Sequence, residues 1–144
     1  MFLLKGEQIK EFIPQREPIV MVDTLYSITE TGCTTGLTVL PDNLFCEEGF
    51  FTEPGLIEHI AQSASVFAGY NAKHKNKPAP IGFIGDVKKY ETFELPKVGD
   101  ELVTSIRILS EVMNITLLAA ETKVGDRMIA GCQMKIFIKE EENS

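Results

Sequence analysis

The chain reads as a single α+β domain in which a curved antiparallel sheet wraps around one long helix. Three observations predict this. Only the stretch from Pro54 to about Lys73 keeps a helical period over several turns. After Pro80 the chain is almost wholly strand-like, with enough strand to enclose that helix. Finally, 144 residues fit one domain spanning 1–144, and no linker, repeat or low-complexity stretch divides them.

Taken in order, residues 6–12 (Gly-Glu-Gln-Ile-Lys-Glu-Phe) are expected to form a short helix that Pro14 stops. The apolar run Ile19-Val20-Met21-Val22, with Leu25, Tyr26 and Ile28, reads as a strand. It turns at Glu30-Thr31-Gly32 into a second strand reaching Leu40. Pro41-Asp42-Asn43 ends that strand, because proline cannot donate to a ladder. Leu44 to Glu53 mixes aromatics with acids, shows no period, and is expected to be loop. Pro54-Gly55 opens the long helix, proline suiting a first turn whose N–H groups lack partners. Leu56, Ile60, Ala61, Ala64 and Ala68 fall on one helix face. The small residues Ala61, Ser63, Ala64, Ser65 and Ala68 would let a wrapping sheet come close. Beyond Pro78-Ala79-Pro80, strands are expected near 82–93, 100–111, 114–124 and 127–139. Val98-Gly99-Asp100 and Val124-Gly125-Asp126 mark turns, the second as a hairpin. Residues 140–144 are expected to fray.

Composition removes several classes of function. A net charge of -7 disfavours nucleic acid, whose phosphates demand concentrated Lys and Arg. The one dense basic cluster, Lys73, His74, Lys75 and Lys77, reads first as a solvated helix end, though a strongly acidic partner would need such a patch. Cys33, Cys46 and Cys132 are scattered and form no C-x-x-C pair, which suits a reducing cytosol. No window approaches the ~20 apolar residues of a membrane span. A cytoplasmic protein is expected. Asp42, Glu47, Glu48 and Glu53 lack a metal-ligand spacing, and Gly82-Phe83-Ile84-Gly85 lacks a phosphate-loop pattern, so neither metal nor cofactor is expected.

Four segments carry a family resemblance. They are Ile13-Pro14-Gln15-Arg16-Glu17-Pro18-Ile19-Val20-Met21-Val22-Asp23, the loop Asn43 to Phe51, the helix start Pro54-Gly55-Leu56-Ile57-Glu58-His59-Ile60-Ala61-Gln62, and Phe83 to Tyr90 followed by Val98-Gly99-Asp100. Their order and spacing resemble the beta-hydroxyacyl-ACP dehydratases of fatty-acid synthesis. The helix start is also similar to divergent relatives from pathways that make conjugated polyene pigments. The resemblance implies the hotdog fold and a homodimer with acyl sites at the subunit boundary. It implies substrates carried as thioesters on acyl carrier protein or coenzyme A.

In that family an acidic residue on the central helix works with a histidine from the preceding loop of the other subunit. The histidine removes the proton alpha to the thioester carbonyl, the acid protonates the departing hydroxyl, and a helix-start amide polarises the carbonyl. Glu58 falls on the acidic position, with Gln62 one turn on. Gly55, with Leu56, is the candidate carbonyl-binding amide, since a helix N-terminus offers unpaired N–H groups to developing negative charge. The histidine is missing. Where the family has Gly-His-Phe-Pro, this chain has Gly49-Phe50-Phe51-Thr52, and no histidine stands between Pro41 and Glu58. The opening motif's histidine is Gln15. Phe50 and Phe51 then become candidate pocket residues, and Glu48, His59 and Cys46 the candidates for the base. Each has a plainer reading: Glu58 as a first-turn glutamate favoured by the helix dipole, His59 as a packing or dimer-contact residue, Glu48 as a solvated loop acid. Two other functions suit the same fold: an acyl thioesterase using Glu58 alone, and a non-catalytic acyl-binding or partner subunit.

Overall fold

The computed structural model describes residues 1–77 and 81–139. The expected break at Pro78-Ala79-Pro80 and the acidic tail 140–144 lie outside the described residues. Strand β1 (Leu4–Lys5) leads into a 3₁₀ helix, Gly6–Phe12. Strands β2 (Thr24–Ile28) and β3 (Gly32–Thr38) follow, then a small hairpin, β4 (Cys46–Glu47) and β5 (Phe50–Phe51). Helix α1 runs Glu53–His74. Four long strands complete the chain: β6 (Ile81–Thr92), β7 (Glu101–Val112), β8 (Ile115–Val124) and β9 (Arg127–Lys139). The seven-stranded sheet has the order β1-β2-β3-β7-β8-β9-β6, and every pairing is antiparallel. One long helix on such a sheet is the hotdog architecture. No helix among the described residues is long and apolar enough to cross a membrane.

Alternation decides which face of the sheet meets the helix. On β7, Leu102, Thr104 and Ile106 are buried while Glu101, Ser105 and Arg107 are exposed. The partners of the inward set on β8 (Thr122, Ala120) and β9 (Ala130, Cys132) are buried in the same rows. Glycine is needed where two segments press close together or the backbone turns sharply. A Cβ on Gly69 of α1 would stand 2.8 Å from the Phe12 carbonyl oxygen, so this glycine lets the 3₁₀ helix lie against α1. In the β8–β9 hairpin Gly125 takes a φ of +59° at the first loop position, a conformation side chains resist.

The four late strands and α1 lie where the periodicity puts them. Three elements differ. The 6–12 helix is 3₁₀ rather than α. The stretch 44–53 contains the β4–β5 hairpin, whose two-residue loop Glu48-Gly49 has positive φ at both positions, as a type I′ turn requires. The first long strand begins at Thr24, not at Ile19, because both backbone groups of Met21 and the Ile19 carbonyl bond to side chains of α1, and the Ile19 N–H to the Arg16 carbonyl, instead of to a neighbouring strand.

The buried face of α1 also departs from the expected one. Leu56, Ile60, Val66 and Phe67 are buried, but so are His59, Gln62 and Ser63, while Ala61, Ala64 and Ala68 are only half-buried. Polar residues therefore occupy the centre of the helix–sheet contact along its first half.

Candidate active site at the start of the central helix

The loop and hairpin before α1 are fixed by backbone bonds on both sides. Phe51 N–H donates to the Pro96 carbonyl at 2.8 Å, and Val98 N–H to the Gly49 carbonyl at 3.0 Å. Thr52 gives both its amide and its hydroxyl to the Phe45 carbonyl, at 3.0 and 2.7 Å, so its side chain does not cap the helix. The first helical bond is Leu56 N–H to the Thr52 carbonyl, at 3.1 Å. The Leu56 amide is thereby occupied and its side chain is buried core. Gly55 precedes that bond, and its N–H belongs to the orphan donors of the helix start. Its lack of a side chain is required, since a Cβ there would stand 2.6 Å from the Phe51 ring and 2.7 Å from Phe45.

Glu58 lies one turn further in and is half-buried. Its Oε1 accepts from Gln62 Nε2 at 2.8 Å, the i to i+4 spacing bringing the two side chains together. Gln62 is fully buried, and its orientation is unambiguous. Met21 N–H can only donate, so Gln62 Oε1 must face it, at 2.6 Å. The amide nitrogen then gives one hydrogen to the Ile19 carbonyl, at 2.7 Å, and the other to Glu58.

His59 points away from Glu58 into the core, fully buried, with both ring nitrogens engaged. Nδ1 lies 2.6 Å from the Met21 carbonyl oxygen and Nε2 2.8 Å from Thr104 Oγ1. The carbonyl only accepts, so Nδ1 carries the proton in the neutral ring. Burial holds the ring neutral, lowering its pKa to about 4 against the smaller raising effects of the Met21 bond and Asp23. Nε2 therefore accepts from Thr104, and Thr104 accepts in turn from Thr122 Oγ1 at 2.7 Å.

The other candidates lie apart from this cluster. Glu48 is exposed at the tip of the hairpin, in the left-handed region at φ +51°. Alternation on β5 buries Phe51 against the helix start and turns Phe50 outward, 40% exposed. Cys46 is half-buried, and burial pushes its thiol up, away from thiolate character. His74 stacks on Tyr70 at the far end of α1. Within one chain, Gly55, Glu58 and Gln62 share the helix start, and no hydrogen bond among the described residues links Glu48 to Glu58. Sequence reasoning missed Thr104, Thr122 and the Met21 peptide. Threonines inside strands look like ordinary β residues, and no local pattern marks them as partners of His59.

The fold defines a hotdog protein, with a half-buried carboxylate at the start of its central helix. The chain belongs to the ApeP-like dehydratase family, whose model, described as ApeP dehydratase, matches residues 7–144. It is 25% identical over 144 residues to the 3-hydroxyacyl-(acyl-carrier-protein) dehydratase FabZ of Thermoanaerobacter pseudethanolicus, covering 96% of this chain and 99% of that one. Among solved structures it superposes on the dehydratase heterocomplex ApeI:P from Xenorhabdus doucetiae with TM-score 0.87, at 14% identity, over 98% of this chain and 94% of that one. It also matches a hypothetical thioesterase with coenzyme A from Streptococcus pneumoniae, TM-score 0.65 at 8% identity, over 83% and 87% of the two chains. These two structural likenesses establish the shared fold.

Proposed function

We propose that this chain supplies the acid half of a 3-hydroxyacyl-thioester dehydratase site, and that a partner hotdog chain supplies the base. The observation that carries the reading is the Glu58 carboxylate at the start of α1, one oxygen held by Gln62 and the side chain half-open to solvent, in a chain of this family. A base on the partner removes the alpha proton, the electron pair forms the alkene, and Glu58 protonates the hydroxyl that leaves as water. The Gly55 N–H stabilises the charge that builds on the thioester oxygen. Phe50 and Phe51 flank the acyl group, Phe51 from inside its own chain and Phe50 toward the partner.

His59 does not suit the base, since both its nitrogens are occupied inside the core. The partner has an edge to pair with: among the described residues β6 is a twelve-residue strand bonded on one side only, to β9. An open edge of that length is a template for another chain. That partner is either a second copy, bringing Glu48, or a different hotdog chain with a histidine. The heterocomplex ApeI:P favours the second, and acyl carrier protein or coenzyme A would carry the substrate.

The test incubates wild type and Glu58→Gln with a 3-hydroxyacyl thioester and, separately, a plain acyl thioester, alone and with a histidine-bearing hotdog partner. Mass spectrometry distinguishes loss of water from loss of the thioester. Dehydration that vanishes in Glu58→Gln supports the reading, and its dependence on the partner or on Glu48 locates the base. Hydrolysis abolished by the same change would make the protein a thioesterase, which a lone helix carboxylate also suits. Neither product with either carrier would leave an acyl-binding subunit.

A further inference from the structure

The start of α1 is joined to the sheet by an unbroken file of hydrogen bonds. From Glu58 Oε1 it passes to Gln62 (2.8 Å), through the Gln62 amide to Met21 N–H (2.6 Å), and across Met21 to its carbonyl. From there it continues to His59 (2.6 Å), Thr104 (2.8 Å) and Thr122 (2.7 Å). All the side chains from Gln62 to Thr122 are fully buried, as is the sulfur-bearing side chain of Met21 to within 1%. The donors and acceptors derived above leave one arrangement of hydrogens along the file, so each group fixes the next.

We propose that Thr104, acting through His59 and the Met21 peptide, is a positioning residue for the Glu58 carboxylate. The proposal rests on the reading of Glu58 as the working acid. Residues 19–21 lie outside every strand, yet Val20 is half-buried and Met21 and Val22 are buried, so their backbone groups need partners other than water. α1 supplies them: Gln62 takes both the Met21 N–H and the Ile19 carbonyl, and His59 takes the Met21 carbonyl. The segment becomes a strap clamped at Met21 from two sides. Gln62 cannot turn away from Glu58 without releasing the strap, and the strap cannot shift without pulling His59 off Thr104. Core packing alone does not call for this, since positions 104 and 122 face inward beside Leu102, Ile106 and Ala120 and an apolar pair would fill them. The polar file gives the carboxylate a rigid reference in the sheet, and rate is sensitive to such placement: a misplacement of about 1 Å can cost on the order of a hundredfold.

The experiment compares Thr104→Val, which keeps the shape and removes the hydroxyl, with Thr104→Ser, which keeps the hydroxyl, in the active assembly. Positioning predicts that kcat falls roughly tenfold in Thr104→Val with KM within about twofold, and that Thr104→Ser recovers most of the loss. Glu58→Gln runs alongside. If it keeps dehydrating, the reading of Glu58 fails. If it is dead while Thr104→Val keeps its kcat, or changes KM alone, the positioning role fails. Hydrogen exchange at the Met21 amide gives an answer independent of turnover. It should speed up roughly tenfold in Thr104→Val relative to the amide of Leu118, which is buried on β8 between β7 and β9, and return in Thr104→Ser. An unchanged Met21 amide overturns the proposal.

Discussion

The two halves of α1 are held by different physics. The first half is held by directional bonds: His59 and Ser63 reach the sheet at Thr104 and Thr35, 2.8 and 2.7 Å away, while Gln62 bonds Glu58 and the segment 19–21. The second half is held by packing. Phe67 is buried, Phe12 and Tyr70 lie with centroids 5.5 Å apart, Tyr70 stacks on His74 at 4.2 Å, and Gly69 admits the 3₁₀ helix. Packing tolerates small slides, whereas a chain of hydrogen bonds with assigned donors does not. The half that bears the carboxylate adds fixed polar geometry to the apolar burial of Leu56 and Ile60, while the other half is held chiefly by packing.

Breaking the packed half should hurt stability most. Phe67→Ala is expected to cost about 3–5 kcal/mol by urea unfolding, while folded protein keeps its kcat. The polar half should reveal itself through pH. His59 has a folded pKa of about 4, below its ordinary 6.5, so the unfolded chain binds the extra proton between those values. Its contribution is fully present above pH 6.5 and is lost as pH falls toward 4, about 3 kcal/mol in total. The difference in unfolding free energy between wild type and His59→Gln should therefore shrink from pH 7.5 to 4.5, and a constant difference would contradict it. Next comes Gly69→Ala, whose Cβ must displace the Phe12 backbone; about 1–3 kcal/mol of stability is expected to go, with Met21 exchange unaffected relative to global unfolding. Smallest is Lys73→Met. It removes an exposed ion pair to Glu11 and should change the unfolding free energy by less than about 1 kcal/mol.

The extent of α1 and the long strands were legible in the sequence because periodicity reports burial, whereas Val66 and Phe67, which pack its second half, lie off the expected alanine face. The strands expected at 100–111, 114–124 and 127–139 lie at Glu101–Val112, Ile115–Val124 and Arg127–Lys139. The polar half was not. Ile19-Val20-Met21-Val22 has the composition of a strand and the burial of one, but its hydrogen bonds go to helix side chains, a tertiary fact no local pattern encodes. For the same reason the alanine face looked like the core face: Ala61 and Ala64 are small and apolar, yet His59 and Ser63 lie deeper because Thr104 and Thr35 wait for them. Glu58 and Gln62 were found through a family resemblance, and their hydrogen bond is geometry that i, i+4 spacing allows.

On the proposed reading, Phe50 stands where the family has histidine and leaves the Glu58 acid to depend on a base from a different hotdog chain. Phe50→His tests it most directly, since Phe50 is already turned out of its own chain. The variant alone should convert a 3-hydroxyacyl thioester to the enoyl thioester faster than wild type alone, and adding Glu58→Gln should remove the gain. A wild type that dehydrates as fast alone as the variant does, or a gain that survives Glu58→Gln, would contradict the account.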